Sequence, residues 1–277
     1  RGDAAALESV ITAARSDDSS VRLAALEVAK RMGTATCVVQ LASIAALAQS
    51  PRERGAAREA LDNLKGPDVD QVMLSYVKKG EPGVRVELIR SLGKRHARGA
   101  VAALLTVGAD EQEDFRVRLA AFDALASLPA ANVLPSLVEA LVAARDEAML
   151  DAAQRAVVTA ARKVADENER TTLLLNALAR ATDTTTRRVL FDVFRQLGDT
   201  AYLDALREGV NDAAVRDAAV RALAGWPTPA VADDLAALSA DAGDNAHHVI
   251  ALRGLLRLIR DSGPETRDST RPYYAKA

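Results

Sequence analysis

Aromatic side chains are nearly missing from this chain of 277 residues: they make up 3%, with a single Trp. Sheets draw on aromatic and β-branched residues, so their scarcity argues against a β-rich fold, and the abundance of Ala and Leu favours helix. Cysteine is almost absent. One thiol, Cys37, excludes an intrachain disulfide and leaves the compartment open: cytoplasmic or, in a larger exported protein, periplasmic or secreted. The three histidines, His96, His247 and His248, form no His-x-x-x-His or His-Glu pair. No metal or other cofactor is therefore expected. A Gly-rich phosphate loop, a G-x-S-x-G elbow and a Cys-His nucleophile set are also missing, so no motif marks a catalytic residue.

No sign of charge dominates. Lys and Arg number 36, Asp and Glu 38, and the formal net charge is −2. That balance disfavours nucleic acid and anionic membrane as partners. The longest uncharged run, 32–51, holds Thr34, Thr36, Gln40, Ser43, Gln49 and Ser50, too many polar groups for a membrane span. The chain opens Arg1-Gly2-Asp3 without Met, which reads as a piece of a longer protein. The opening triplet matches an integrin motif, but Asp3 is expected to cap a first helix.

What is present is repetition. The stretch Asp18-Ser19-Ser20-Val21-Arg22-Leu23-Ala24-Ala25 returns as Asp212-Ala213-Ala214-Val215-Arg216-Asp217-Ala218-Ala219. With its Val as position one, the phrase falls on Val21, Glu53, Val84, Val117, Met149, Thr186, Val215 and His247. The steps average about 32 residues, a period that signals a solenoid. Each anchor opens an apolar run with helical spacing. Gly33, Gly66, Gly93, Pro129, Gly198 or Pro227 is expected to end most of them. A second predicted helix lies between anchors, over 5–14, 36–48, 68–78, 100–109, 133–144, 172–181, 201–210 and 231–239. The unit is thus a pair of antiparallel helices that must stack on its neighbours to bury its apolar faces. The predicted repeats are 3–33, 34–66, 67–96, 97–129, 130–165, 166–198, 199–227 and 228–261. The tail, 262–277, is expected to cover the last repeat or to begin a ninth.

The tetratricopeptide and ankyrin signatures are missing. The Asp-x-x-Val-Arg-x-x-Ala phrases resemble the HEAT-repeat family in its short bacterial form, over essentially the whole chain. That resemblance implies an all-α, right-handed α-solenoid of about eight helical hairpins, armadillo-like in class. The last two repeats, with Ala-Gly-Trp-Pro at 224–227 and His247-His248, also look like arrays in large bacterial multidomain proteins, where they often accompany a sugar-active or haem-binding domain. The lack of His-Glu pairs argues against the HEAT-fold hydroxylases.

Two rows of charge follow from the register. Position two is arginine in six repeats: Arg22, Arg54, Arg85, Arg118, Arg187 and Arg216, with Leu150 and His248 breaking the series. These are expected to form an internal ladder, each Arg bonding a carboxylate or carbonyl of a neighbouring turn. Position seven is always charged: Glu27, Glu59, Arg90, Asp123, Arg155, Asp192, Arg221 and Arg253. From Glu59 to Arg221 the signs alternate, so each charge is expected to face an opposite one on the next repeat. A nucleic-acid groove would need one sign.

Three further features remain. Lys94, Arg95, His96 and Arg98 form the densest basic cluster, a candidate anion site if Gly93 ends its helix early. Uncharged first helices in repeats two to four offer a candidate partner face around Gln40, Ser43, Gln71, Ser75 and Thr106. Trp226, before Pro227, is expected to pack. The expected function is a non-catalytic scaffold that binds a protein partner or adjoining domain. The alternative is an enzyme of lyase or DNA-glycosylase type, with a pocket of scattered Arg, Asp and aromatic side chains on the concave face.

Overall fold

The computed structural model describes residues 2–128, 130–240 and 245–261. Pro129 and the tail at 262–277, two positions weighed above, lie outside the described residues. The described residues hold sixteen α-helices and no strand; an isolated bridge joins Thr34 to Lys65. In order the helices are α1 (Gly2–Ala13), α2 (Ser19–Met32), α3 (Val38–Leu47), α4 (Pro51–Asp62), α5 (Val69–Val77), α6 (Pro82–Lys94), α7 (Val101–Ala109) and α8 (Phe115–Leu125). They continue as α9 (Leu134–Ala143), α10 (Glu147–Ala161), α11 (Glu167–Arg180), α12 (Thr184–Leu197), α13 (Leu203–Asn211), α14 (Arg216–Ala224), α15 (Ala232–Ala240) and α16 (Asn245–Asp261). Odd and even helices alternate as first and second members of eight hairpins. The chain divides into two compact units, Arg1–Leu137 and Val138–Ala277.

Local chemistry sets the helix starts. Asp18 stands at the N-cap of α2 and accepts from the Ser20 and Val21 amides. Asp114, Asp146, Asp166 and Asp183 do the same for α8, α10, α11 and α12. Each satisfies amides that have no partner inside the helix. The cap at Asp166 starts α11 five residues before the predicted 172, with Glu167 and Glu169 in its first turn against the positive end of the helix dipole. Asp3 is no cap: α1 begins at Gly2, so Asp3 lies in its first turn.

Inside each unit the second helices stack in succession, α2–α4–α6–α8 in the first and α10–α12–α14–α16 in the second. In seven hairpins the first helix packs on its own partner, as α3 does on α4 and α13 on α14. The first core is filled by Leu26, Leu41, Leu61, Met73, Leu88, Ile89, Leu92 and Phe122, all 0–1% exposed. The second is built on Leu190, Phe191, Phe194, Tyr202, Leu206 and Trp226, equally buried. The Phe194 and Tyr202 rings stack with centroids 4.3 Å apart. Burying each such side chain contributes about 1.5–3 kcal/mol, which explains how so few aromatics suffice.

Gly93 corrects an expectation. It does not end α6, which runs on to Lys94. A Cβ at Gly93 would lie 3.0 Å from Ala124 Cα on α8, so Gly is there to let two second helices approach closely. The chain turns at His96 instead, with φ 52°. The Ala97 amide donates to Leu92 O (3.0 Å) and the His96 amide to Gly93 O (3.1 Å), the paired bonds of a Schellman closure.

Candidate functional site

The arginines at position two lie along the ends of the first helices. Arg22 donates from Nη1 to Ser16 O and Asp17 O, each 2.8 Å, beyond the end of α1. Arg54 reaches Ala48 O at 2.9 Å, Arg85 reaches Val77 O at 2.6 Å, Arg118 reaches Gly108 O at 3.2 Å and Arg216 reaches Val210 O at 3.4 Å. Carbonyls at a helix C-terminus lack partners within the helix and carry the negative end of its dipole, so a guanidinium is a matched cap. Three of the row also cross to the next repeat: Arg22 to Glu53 (2.6 Å), Arg187 to Asp212 (2.7 Å) and Arg85 to Glu113. Leu150, which interrupts the row, is 3% exposed. His248 has a buried Nδ1 without a hydrogen-bond partner among the described residues.

These contacts set an acid limit to stability. Hydrogen bonds from Arg22 and then Ser19 hold the Glu53 carboxyl below its ordinary range, and the bond from Arg85 does the same for Glu113. A depressed carboxylate contributes stability that is complete above the unfolded value of about 4.3 and is lost as pH falls through the folded value. Between pH 7 and pH 3 the melting temperature of the Glu53→Gln, Glu113→Gln double variant is expected to fall less steeply than that of the parent. Parallel curves would show that neither carboxylate is coupled to folding.

At position seven the partners differ from those expected. Glu59 meets Lys30 at 2.8 Å. Arg90 meets Asp62 at 2.7 Å and Glu87 at 3.2 Å. Asp192 meets Arg195 at 2.6 Å and accepts from Gln154 and Gln196, while Arg221 turns to Asp217 at 2.8 Å. Asp123 and Arg155 are engaged as well. Packed helix axes stand about 8–10 Å apart, so a partner three or four residues along the same helix, or one turn away on the neighbour, is within easier reach than the residue directly opposite.

The basic cluster at 94–98 is only partly exposed. Arg95 is folded onto the end of α4, donating to Asp62 O and Leu64 O (both 2.9 Å) and to Asp70 (2.5 Å). His96 Nδ1 lies 3.3 Å from Ser127 O. Lys94 and Arg98 are exposed, so half of the candidate anion site is already committed to the protein. On the low-charge first helices, Ser75 donates to Val72 O (2.7 Å) and Thr106 to Ala102 O (2.9 Å), each within its own helix. Gln40 and Ser43 are half-buried and Gln71 is exposed. Leu47 is 72% exposed on the same helices.

A larger feature lies on the second helices of the second unit. A groove of about 650 Å³ runs over α10, α12 and α14. Leu150, Val189, Ala218 and Ala222 form its apolar floor, and four arginines and four carboxylates line it. Most of these charges are satisfied: Arg145 by Val142 O and Ala144 O, Arg195 by Asp192, Arg221 by Asp217. Arg188, on the central helix α12, is exposed and has no partner among the described residues; Glu147 and Asp151 on α10 are likewise without partners. The lining contains no His, Cys, Ser or aromatic residue. Grooves in the first unit are smaller, about 500 and 280 Å³. Among their arginines, Arg58, Arg90 and Arg116 are ion-paired to Glu87, Asp62 and Asp114, and Arg54 caps Ala48 O. Arg188, Glu147 and Asp151 escaped the sequence reading because none falls on a row that repeats; Arg188 stands one residue past the arginine row.

Among the described residues no group of His, Cys, Asp and Glu side chains could hold a metal ion, and no helix is long and apolar enough to cross a membrane. Stacked hairpins of about 32 residues, with capping aspartates and an arginine row, define a helical-repeat protein. Residues 69–158 match the family model for HEAT repeats. No curated protein matches it. Among solved structures it is similar to human deoxyhypusine hydroxylase in complex with glycerol, at 17% identity and a TM-score of 0.37, covering 94% of this chain and 98% of that one. It is also similar to the complex of CpcE and CpcF of phycocyanin lyase from Nostoc sp. PCC7120, at 20% identity and a TM-score of 0.38, covering 96% and 92%. Superpositions this loose carry no argument about function.

Proposed function

We propose that this helical-repeat chain is a non-catalytic scaffold that binds a protein partner in the groove over α10, α12 and α14. The observation that carries this reading is Arg188: an exposed guanidinium without a partner among the described residues, above an apolar floor and beside Glu147 and Asp151, which also lack partners there. The groove favours a partner segment with apolar side chains flanked by an acidic and a basic residue. A lining without histidine, cysteine, serine or aromatic residue supports binding over the lyase-like or glycosylase-like alternative. A second contact face over α3, α5 and α7 is favoured by the exposure of Leu47 (72%) and Tyr76 (40%).

The test is selection from a displayed peptide library on the immobilised chain, followed by titration of the enriched peptides. A charge-assisted hydrogen bond contributes about 1.5–3 kcal/mol, so Arg188→Glu is expected to weaken binding roughly tenfold or more. Leu47→Glu should leave those peptides unaffected. Equal affinity for the parent and the Arg188→Glu variant would rule out the groove as the binding site.

A further inference from the structure

Among the described residues seven large apolar side chains are exposed. Val21, Val28 and Met32 lie on α2 and Leu256 on α16, where the stack of second helices stops. The other three are Leu47, Tyr76 and Phe115, 72%, 40% and 43% exposed. They fall one each in repeats two, three and four, at the turn from first to second helix. Leu47 ends α3, Tyr76 is next to last in α5 and Phe115 opens α8. These turns share one edge because the second helices of this unit run parallel. Arg58 of α4 meets Glu87 of α6 at 2.6 Å, and further along both helices Asp62 meets Arg90 at 2.7 Å. Arg85 of α6 likewise meets Glu113, just ahead of α8, and Gly93 approaches Ala124 further along.

The edge is pinned, and its free charges are sorted by sign. Arg54 donates to Ala48 O, next in the chain to Leu47, and Arg85 to Val77 O, next to Tyr76 (2.9 and 2.6 Å). Held backbone lowers the entropy cost of covering these side chains. Around the turns of repeats two and three, Arg52, Lys78 and Lys79 are exposed without partners among the described residues, against one such carboxylate, Glu81. In the turn of repeat four, Arg116 is paired with Asp114 (3.1 Å) and Glu113 with Arg85. That leaves Glu111 exposed without a partner among the described residues, and Asp110 accepting from the Gln112 amide alone (3.0 Å). The edge is thus basic in the repeats of Leu47 and Tyr76 and acidic in that of Phe115.

We propose that this edge docks an amphipathic helix of a partner protein, with apolar side chains seven residues apart, acidic groups toward one end and basic groups toward the other. Packed helices stand about 8–10 Å apart, so the three apolar groups follow one another at that interval. Residues seven apart in a helix are separated by about 10.5 Å on nearly one face, and about 14 residues span all three groups. A strand covers the same interval in about three residues, which would turn successive contacts to opposite faces. The acidic end of the helix meets Arg52, Lys78 and Lys79, and its basic end meets Asp110 and Glu111. The proposal rests on the reading of this chain as a protein-binding scaffold and names the partner of its second face; it does not depend on the groove.

Selection of a displayed library of 18-residue helical segments tests the proposal. The bait is the whole chain carrying Arg188→Glu, which reads this edge apart from the groove. Enriched helices are expected to carry apolar residues seven apart, with acidic and basic groups at opposite ends. Tyr76→Glu and Phe115→Glu, each added to the bait, should weaken their binding by about tenfold or more. Tyr76→Ser and Phe115→Ser, which add no charge, should act in the same direction, and far-ultraviolet circular dichroism checks that each variant keeps its fold. Lys78→Glu with Lys79→Glu should also weaken binding, and changing the acidic residues of the helix to Lys should then restore it. No enrichment from the library would overturn the proposal, and so would helices that bind the Tyr76 and Phe115 variants as tightly as the bait. The groove reading fails separately, if peptides selected on the parent chain bind the Arg188→Glu variant equally well.

Discussion

Trp226→Ala lowers stability by about 3–5 kcal/mol, the usual cost of emptying a large aromatic site in a packed core. Trp226 follows α14 at position twelve of its repeat and is 0% exposed. Its backbone helps hold the next repeat, because Arg257 of α16 donates to Trp226 O (2.5 Å) and Ala224 O (3.2 Å). In a repeat array, stability is close to a sum of repeat and neighbour terms, so the loss should concentrate in the second unit. Urea unfolding followed by hydrogen exchange should find the early opening in α14 to α16. The indole Nε1 is buried without a partner among the described residues. Trp226→Phe therefore gives up volume but no hydrogen bond, and is expected to cost less than half as much as Ala. Equal costs for Phe and Ala would show that the indole nitrogen does have a partner.

Arg85→Ala should cost about 3 kcal/mol or more, because it strands a carboxylate in a poorly solvated place. The Arg85 side chain is 9% exposed and that of Glu113 16%. One guanidinium closes the end of α5 through Val77 O and binds both oxygens of Glu113. Arg85→Lys keeps the charge but not the planar fork, and is expected to recover less than half of the loss. The double variant Arg85→Met, Glu113→Leu should be milder than Arg85→Ala, since it removes both charges and returns apolar volume. Chemical denaturation of the four proteins checks this. A double variant as unstable as Arg85→Ala would mean that the lost bond to Val77 O, not the stranded carboxylate, sets the cost.

Several features of the site were within reach of one-dimensional reasoning, and their limits have physical causes. The arginine row was legible because its spacing equals the repeat period. Its carbonyl partners were not, because they depend on where each first helix stops. Arg85 looks like its five companions in the chain; only packing makes it buried. Glu113 was missed since it sits in a turn four residues ahead of an anchor, where no periodic signal operates. The basic run at 94–98 reads as one patch, yet Arg95 folds back 31 and 33 residues to Leu64 O and Asp62 O while Lys94 and Arg98 point outward. Gly93 read as a stop, but a glycine also serves where two helices must touch, and local sequence cannot separate the two uses.

Composition and period by themselves determined that this protein is helical, repeated about every 32 residues, and built from stacked hairpins. Those properties come from interactions within a few residues, or from a spacing that every copy repeats. The tertiary structure alone decided which charges are consumed by the protein and which stay available. Among the described residues it left Arg188, Glu147 and Asp151 without partners in a groove. Exposure and pairing are sums over neighbours distant in the chain, and identical letters in two repeats meet different surroundings.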